Sequence, residues 1–177
     1  LCSRKDFRDA VVAARGAFSG WSNRAAFNRS QILYRIAEML EGRKAQFIDE
    51  LMKQDSTKEQ AEKEVSLSIE RLIYYAGWCD KFQQLYSTVN PVASSHFNFS
   101  APEPTGVVSI IAPQNNSLIG LVSVIAPIIA GGNTCVVLAS ASKPLCAVTF
   151  AEVLGTSDVP GGTINILTGK PGELLSW

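Results

Sequence analysis

Apolar residues recur at helical spacing through the first half of the chain. Phe7, Val11, Ala14 and Phe18 form one stripe. Ser3 and Asp6 make a capping-box-like start for it, and Gly20 is expected to break it. A second stripe holds Phe27, Ile32, Leu33, Ile36 and Leu40 and ends near Gly42. A third holds Phe47, Ile48, Leu51 and Met52. A fourth, longer helix is expected over 58–85, with Val65, Ile69, Leu72, Ile73, Ala76, Cys79 and Phe82 on its apolar face. Stripes of this kind read as core packing.

The pattern changes at residue 87. STVNPVASSHFNFSAPEP brings prolines, serines and an alternating His96-Phe97-Asn98-Phe99. Such alternation reads as an extended ribbon or hairpin standing off the body. A plain surface loop and an oligomer contact both remain open for it. From Gly106 the pattern becomes α/β. VVSIIA is a continuous apolar run, as expected of a strand covered on both faces. An almost wholly apolar helix over 117–130 follows, then a strand in NTCVVLA, a helix over 145–154, a Pro-Gly-Gly turn and a strand in TINILTG. The order β-α-β-α-β implies parallel strands with right-handed crossovers.

The fold class is therefore α/β: a helical N-terminal part plus a partial Rossmann-like parallel βαβαβ unit, with a projecting β-ribbon. The expected division is 1–86 helical, 87–105 ribbon and 106–177 βαβαβ, together one truncated domain.

One interruption invites a functional reading. After VVSIIAP the chain places Gln114, Asn115, Asn116 and Ser117 before the next apolar helix. In an open parallel sheet, ligands bind beyond the carboxyl ends of the strands. Asn or Ser there would cap the helix, but four polar side chains exceed what a cap requires. A side-chain amide can also donate to a developing oxyanion.

Composition narrows the classes. The chain has 177 residues, 46% of them apolar, enough for a real core. Lys plus Arg and Asp plus Glu each total 16, so no charge imbalance points to nucleic acid or an anionic membrane as partner. The longest apolar stretch is too short for a span and contains Pro127. Cys2, Cys79, Cys135 and Cys146 show no C-x-x-C spacing, and His96 is the sole histidine, so no metal site is expected. Cysteines in apolar settings fit a reducing compartment, hence a cytoplasmic location. No secretory leader is read, and a start without Met with an end at GELLSW suggests a piece of a longer protein.

Four segments, in order, resemble the aldehyde dehydrogenases over nearly the whole chain. YYAGWCDK is similar to that family's tyrosine-rich helix end. EPTGVVSIIAPQNNSL resembles E-P-x-G-V-x-x-x-I-x-P-W-N-F/Y-P-L. GGNTCVVLASASKPL resembles G-N-x-V-V-x-K-P-A/S-E-x-S/T-P-L, and DVPGGTINILTG resembles L-P-x-G-V-x-N-x-x-x-G. The resemblance implies oxidation of a small-molecule aldehyde to a carboxylic acid with NAD or NADP. In that chemistry a Cys thiolate attacks the carbonyl, hydride leaves for the nicotinamide, and water hydrolyses the thioester. It also implies that Asn115 is the oxyanion donor and that Ile111, Ala112, Pro113 and Gln114 line the nicotinamide side. The rest of its own polypeptide and a homo-oligomer are the implied partners.

The departures are specific. Gln114 stands where the family has Trp, Asn116 where it has an aromatic residue, and Ser117 where it has Pro. Aligning GNT and the later Pro144-Leu145 puts Leu138 and Ala141 at the positions of the Lys and Glu that hold the adenosine ribose; a register shifted by an insertion after the strand would bring Lys143 to the Lys position instead. The family's nucleophilic Cys, general-base Glu and G-S-T-x-x-G turn fall beyond residue 177, so weak or no dinucleotide binding is expected of this chain. Eroded ribose contacts on a good scaffold resemble the second, degenerate module of family-sixteen aldehyde dehydrogenases. Two readings follow: part of an active dehydrogenase, inactive as this piece, or a non-catalytic module with a structural or assembly role.

Overall fold

The computed structural model describes residues 1–175; the last two residues of the 106–177 segment lie outside the described residues. Four helices open the chain: α1 (Arg4–Ser22), α2 (Ala26–Gly42), α3 (Lys44–Met52) and α4 (Lys58–Ala76). A short α5 (Phe82–Tyr86) leads into an antiparallel pair, β1 (Thr88–Asn90) and β2 (Asn98–Ser100). The α/β part follows as β3 (Val107–Ile111), α6 (Ile119–Ala130), β4 (Thr134–Leu138), α7 (Leu145–Gly155) and β5 (Ile164–Leu167), with α8 (Pro171–Leu175) after it.

The three strands β3, β4 and β5 lie in that order and are parallel, with Ser109 opposite Val136 and Val136 opposite Asn165. β4 is central and buried along its whole length. Its side chains alternate between two cores. Cys135 and Val137 join a large cluster with α2, α3, α4, α6 and α7. Val136 and Leu138 join Ala10, Ala14 and Leu167 against α1. Burying each Val or Leu of such a strand contributes about 1.5–3 kcal/mol.

Several sequence expectations need correction. Gly20 does not end α1, which continues to Ser22. A helical Gly costs about 0.5–1 kcal/mol, but carrying the helix on buries Trp21 completely and lets its indole Nε1 donate to Ile129 O at 3.0 Å. The fourth helix stops at Ala76 rather than running to 85. Past Gly77 the amides of Trp78 and Cys79 turn back to Tyr75 O and Ala76 O, the tighter 3₁₀ pattern that closes a helix end. Cys79 is buried in that turn rather than on a helix face. Phe27, Ile73 and Met52 are exposed rather than core. β3 is not covered on both faces; it is an edge strand with Ser109 and Ile111 exposed. The stretch after 87 forms the expected hairpin, with Asn90 paired to Asn98, and the Phe97 and Phe99 rings lie 5.7 Å apart on its exposed surface.

The almost wholly apolar α6 carries no polar cap of its own, and the helical layer supplies both ends. Glu64 of α4 accepts the amides of Leu118 and Ile119, at 2.8 and 3.1 Å. At the other end Trp21 reaches Ile129 O and buried Arg29 donates to Ala130 O at 3.3 Å. A carboxylate at the start and a guanidinium at the end both complement the helix dipole.

Candidate functional site at the carboxyl ends of two strands

The parallel ladder runs one residue past β3: the Ala112 amide donates to Leu138 O at 2.8 Å, and the Ala139 amide to Leu167 O at 2.9 Å. Both strands therefore release their following loops on the same rim. Residues 112–118 link β3 to α6, and residues 139–144 link β4 to α7. In open α/β sheets ligands bind beyond the carboxyl ends of the strands, which here is the rim that carries both loops.

Each residue singled out in the sequence has a definite place on this rim. Ile111 ends β3 and is exposed, and Ala112 is buried. Pro113 is exposed, yet its ring presses on the first turn of α6; a Cβ on Gly120 would lie 3.2–3.3 Å from it. Gln114 is exposed but fully engaged. Its Nε2 donates to Ala112 O at 2.8 Å, and its Oε1 accepts the Ala141 amide at 2.9 Å. Its carbonyl accepts both the Ser140 and Ser142 hydroxyls at 2.8 Å. Asn115 is exposed and Asn116 half-buried, and among the described residues neither side chain makes a hydrogen bond. Leu138 is 6% exposed and belongs to the α1 core. Ala141 is exposed, and its amide is taken by Gln114.

The expected cap is corrected. Neither Asn nor Ser of the loop caps α6, whose capping position is Leu118. Glu64 does that work from α4. Buried Ser117 instead donates to Lys143 O at 2.8 Å, joining the two loops from beneath. Gln54 supports the same junction: Nε2 donates to Ser117 Oγ at 3.1 Å, and Oε1 accepts the Leu145 amide at the start of α7 at 3.1 Å. Ser140, Ser142, Gln54 and Glu64 were not singled out from the sequence. The serines stood in plain view in LASASKP. Gln54 and Glu64 lie in charged stretches of the helical half, where nothing marks a side chain that reaches across to a sheet loop.

Three of the four thiols are buried. Burial pushes Cys79 up to about 11, and Cys135 and Cys146 up to about 12. Cys146 keeps that value although Ser117 and Gln54 contact its sulfur. A nucleophilic thiol needs the opposite shift. Cys2 is half-exposed, at the amino-terminal end, with its amide on Thr168 O. Among the described residues no group of three or more His, Cys, Asp or Glu is placed to hold a metal ion.

Residues 138 and 141 offer a dinucleotide's adenosine ribose no charged side chain. Recognition of ribose hydroxyls calls for charged or free hydrogen-bonding groups at the end of the second strand. Here Leu138 has become core, Ala141 presents a methyl group, and the serine hydroxyls and the Ala141 amide are satisfied by Gln114.

A parallel βαβαβ sheet backed by helices, with paired polar loops on one rim, defines an α/β protein of the dinucleotide-crevice class. Sequence comparison goes further. The chain matches the profile of the Aldehyde dehydrogenase family over residues 1–176, and it belongs to that family. It is 33% identical over 178 residues to DhaS of Bacillus subtilis (strain 168), which carries an aldehyde dehydrogenase name, covering 97% of this chain and 35% of DhaS. It is 34% identical over 175 residues to the human mitochondrial 10-formyltetrahydrofolate dehydrogenase, covering 96% of this chain and 19% of that protein. HpcC from Thermus thermophilus superposes with a TM-score of 0.91 at 28% identity, over 97% of this chain and 33% of HpcC. The NAD+ complex of an aldehyde dehydrogenase from Bacillus cereus gives 0.90 at 25% identity, over 98% of this chain and 35% of that one. The chain thus spans about a third of DhaS and about a fifth of the formyltetrahydrofolate dehydrogenase.

Proposed function

We propose that the chain is the cofactor-side part of an aldehyde-dehydrogenase-type module that keeps the family scaffold for assembly within a longer polypeptide rather than for dinucleotide chemistry. The observation that carries this reading is Leu138. The position from which a charged side chain would meet a ribose is 6% exposed and packed among Ala10, Ala14, Val136 and Leu167. Two charge-assisted hydrogen bonds are absent with Leu138 and Ala141, each worth about 1.5–3 kcal/mol. The exposed apolar surface of the hairpin, with Val89, Phe97 and Phe99, suits contact with the rest of the polypeptide or a second copy. Free buried thiols suit the cytoplasm. The division into a helical part, a ribbon over 87–105 and a βαβαβ unit is part of the same proposal. The test is calorimetric titration of the intact protein with NAD and with NADP. No saturation up to millimolar cofactor is expected, and micromolar binding would refute the reading.

A second reading is favoured by one observation, the exposed Asn115 at the carboxyl end of β3 with its amide uncommitted. In it the complete polypeptide oxidises an aldehyde to an acid with NAD or NADP, and Asn115 donates to the oxyanion. Assaying the intact protein on a panel of aldehydes tests it; a folded protein with no turnover on any of them counts against it.

A further inference from the structure

We propose that Gln114 is an internal ligand of this crevice, clasping the β3–α6 and β4–α7 loops together and closing the rim to the sugar hydroxyls of a dinucleotide. The inference rests on the structural-module reading and adds a cause to it. Lost side chains at 138 and 141 leave a rim that is merely poorer in contacts. The clasp makes it self-satisfied.

The geometry carries the argument. Residue 114 makes four hydrogen bonds, and three of them cross to residues 140, 141 and 142. The two to its backbone carbonyl would form with any residue there, so what Gln adds, and what Gln114→Ala removes, is the side-chain bridge from Ala112 O to the Ala141 amide. The side chain is held at both ends, by Ala112 O on its own loop and by the Ala141 amide opposite. The strand ladder brings these partners together, because Ala112 N bonds Leu138 O at the last rung. Ser140 Oγ also accepts the Lys143 amide at 3.1 Å and lies 3.1 Å from Ser142 Oγ. The hydroxyls that would greet a polar ligand therefore point inward at one carbonyl. A sugar hydroxyl would displace these bonds one for one, and with no charged partner at 138 or 141 there is no surplus to favour the exchange. A Trp at position 114, as in the family pattern, has one ring N–H and no acceptor, so it cannot hold the Ala141 amide.

The experiment uses the full protein that carries this chain. Amide hydrogen exchange is compared in wild type and Gln114→Ala. The expected result is at least about tenfold faster exchange at Ala141, the loss of one hydrogen bond, with Leu145 unchanged because Gln54 holds it. Equal exchange at Ala141 in both proteins overturns the clasp. NAD titration of Leu138→Lys/Ala141→Glu is then compared with the same pair plus Gln114→Ala. The triple variant is expected to bind at least about tenfold more tightly. Equal affinity, or binding by neither, overturns the clasp as a barrier and leaves the structural-module reading standing. NAD binding by wild type overturns that reading instead, and Ala141 exchange still reports whether the clasp forms. If the variants at 138 and 141 do not fold, exchange in Gln114→Ala alone decides.

Discussion

The side-chain amide of Gln54 donates to the buried hydroxyl of Ser117 at 3.1 Å while its oxygen accepts the Leu145 amide at 3.1 Å. One side chain from the turn after α3 thus fixes the loop after β3 and the first turn of α7 at once. Gln54 is itself 8% exposed, so removing it takes one donor from the buried Ser117 hydroxyl, which keeps Lys143 O, and leaves the first amide of α7 without its acceptor. Gln54→Leu keeps the volume and removes both bonds. It is expected to cost about 1–3 kcal/mol, the loss of one unshared acceptor at the start of α7 and of one of the two bonds at Ser117. Urea denaturation of the full protein checks this. A change under about 0.5 kcal/mol, the ordinary range of a surface substitution, would mean the junction is held elsewhere.

Arg29 and Glu64 hold opposite ends of α6, and their separation makes them independent in principle. Arg29 is buried, its side chain donating to Ala130 O and also to the Ser22 and Arg24 carbonyls. Desolvation lowers its pKa from the ordinary arginine value, but a guanidinium stays charged in proteins. Arg29→Met is expected to destabilise by about 2–4 kcal/mol, since several carbonyls lose a charged donor. Glu64→Ala is expected to cost about 1–2 kcal/mol, the usual value of a lost helix cap. The double variant should show the sum within about 0.5 kcal/mol. Chemical denaturation of the two single variants and the double variant reads all three values.

The cysteines predict an order of labelling. Cys79, Cys135 and Cys146 are buried with raised pKa values of about 11, 12 and 12, so their thiolates are scarce at pH 8. Cys2 is half-exposed. A disulfide reagent should modify Cys2 first, and the other three only as the protein unfolds. The sign of the pH effect follows from the raised values. The neutral thiol is favoured in the folded state, so stability is full below the ordinary value of 9.0 and declines as pH rises toward 11–12. Mass spectrometry of the labelled native protein checks the order, and thermal melts between pH 8 and 10.5 check the slope.

How far the sequence could be read depended on whether a residue's role was local. Helical stripes such as Ile32, Leu33, Ile36 and Leu40 and the β-α-β-α-β order are periodic features, and both appear in the fold. The rim loop after Pro113 was legible for the same reason: it breaks a run. Gln54 and Glu64 were not, because their partners lie 54–92 residues away in sequence, and a polar residue in a helix or the turn after it is ordinarily a solvated one. The edge exposure of β3 was missed since a run such as VVSIIA is equally suited to a central strand. Gly20 was misjudged because propensity is local and the burial of Trp21 is not.

Asp6 gives a prediction at acid pH. Its carboxylate accepts the Ser3 amide at 2.7 Å and the Ser3 hydroxyl at 2.8 Å. These bonds hold its pKa below the ordinary value of 3.8. The folded value is depressed, so the stabilising effect is present above 3.8 and is lost as pH falls through the lower folded value. The start of α1 should therefore fray in strong acid, while Asp6→Asn should show a weaker start that no longer depends on pH. Amide exchange at Phe7, whose amide bonds Ser3 O, reads the fraying.

Asn115 separates a structural from a chemical role. It is exposed, its side chain has no partner among the described residues, and it sits on the rim just past the buried Ala112. Nothing in the fold requires an amide there. Asn115→Ala is therefore expected to leave stability within about 0.5 kcal/mol of wild type. If the complete polypeptide oxidises aldehydes, the same variant should lose about 10²–10³-fold in turnover, the usual effect of removing one oxyanion donor. Asn115→Asp should be equally inactive, because a carboxylate accepts rather than donates and repels the charge it would face. Turnover by either variant within about threefold of wild type would show that the amide takes no part in the reaction, since a lost donor costs far more.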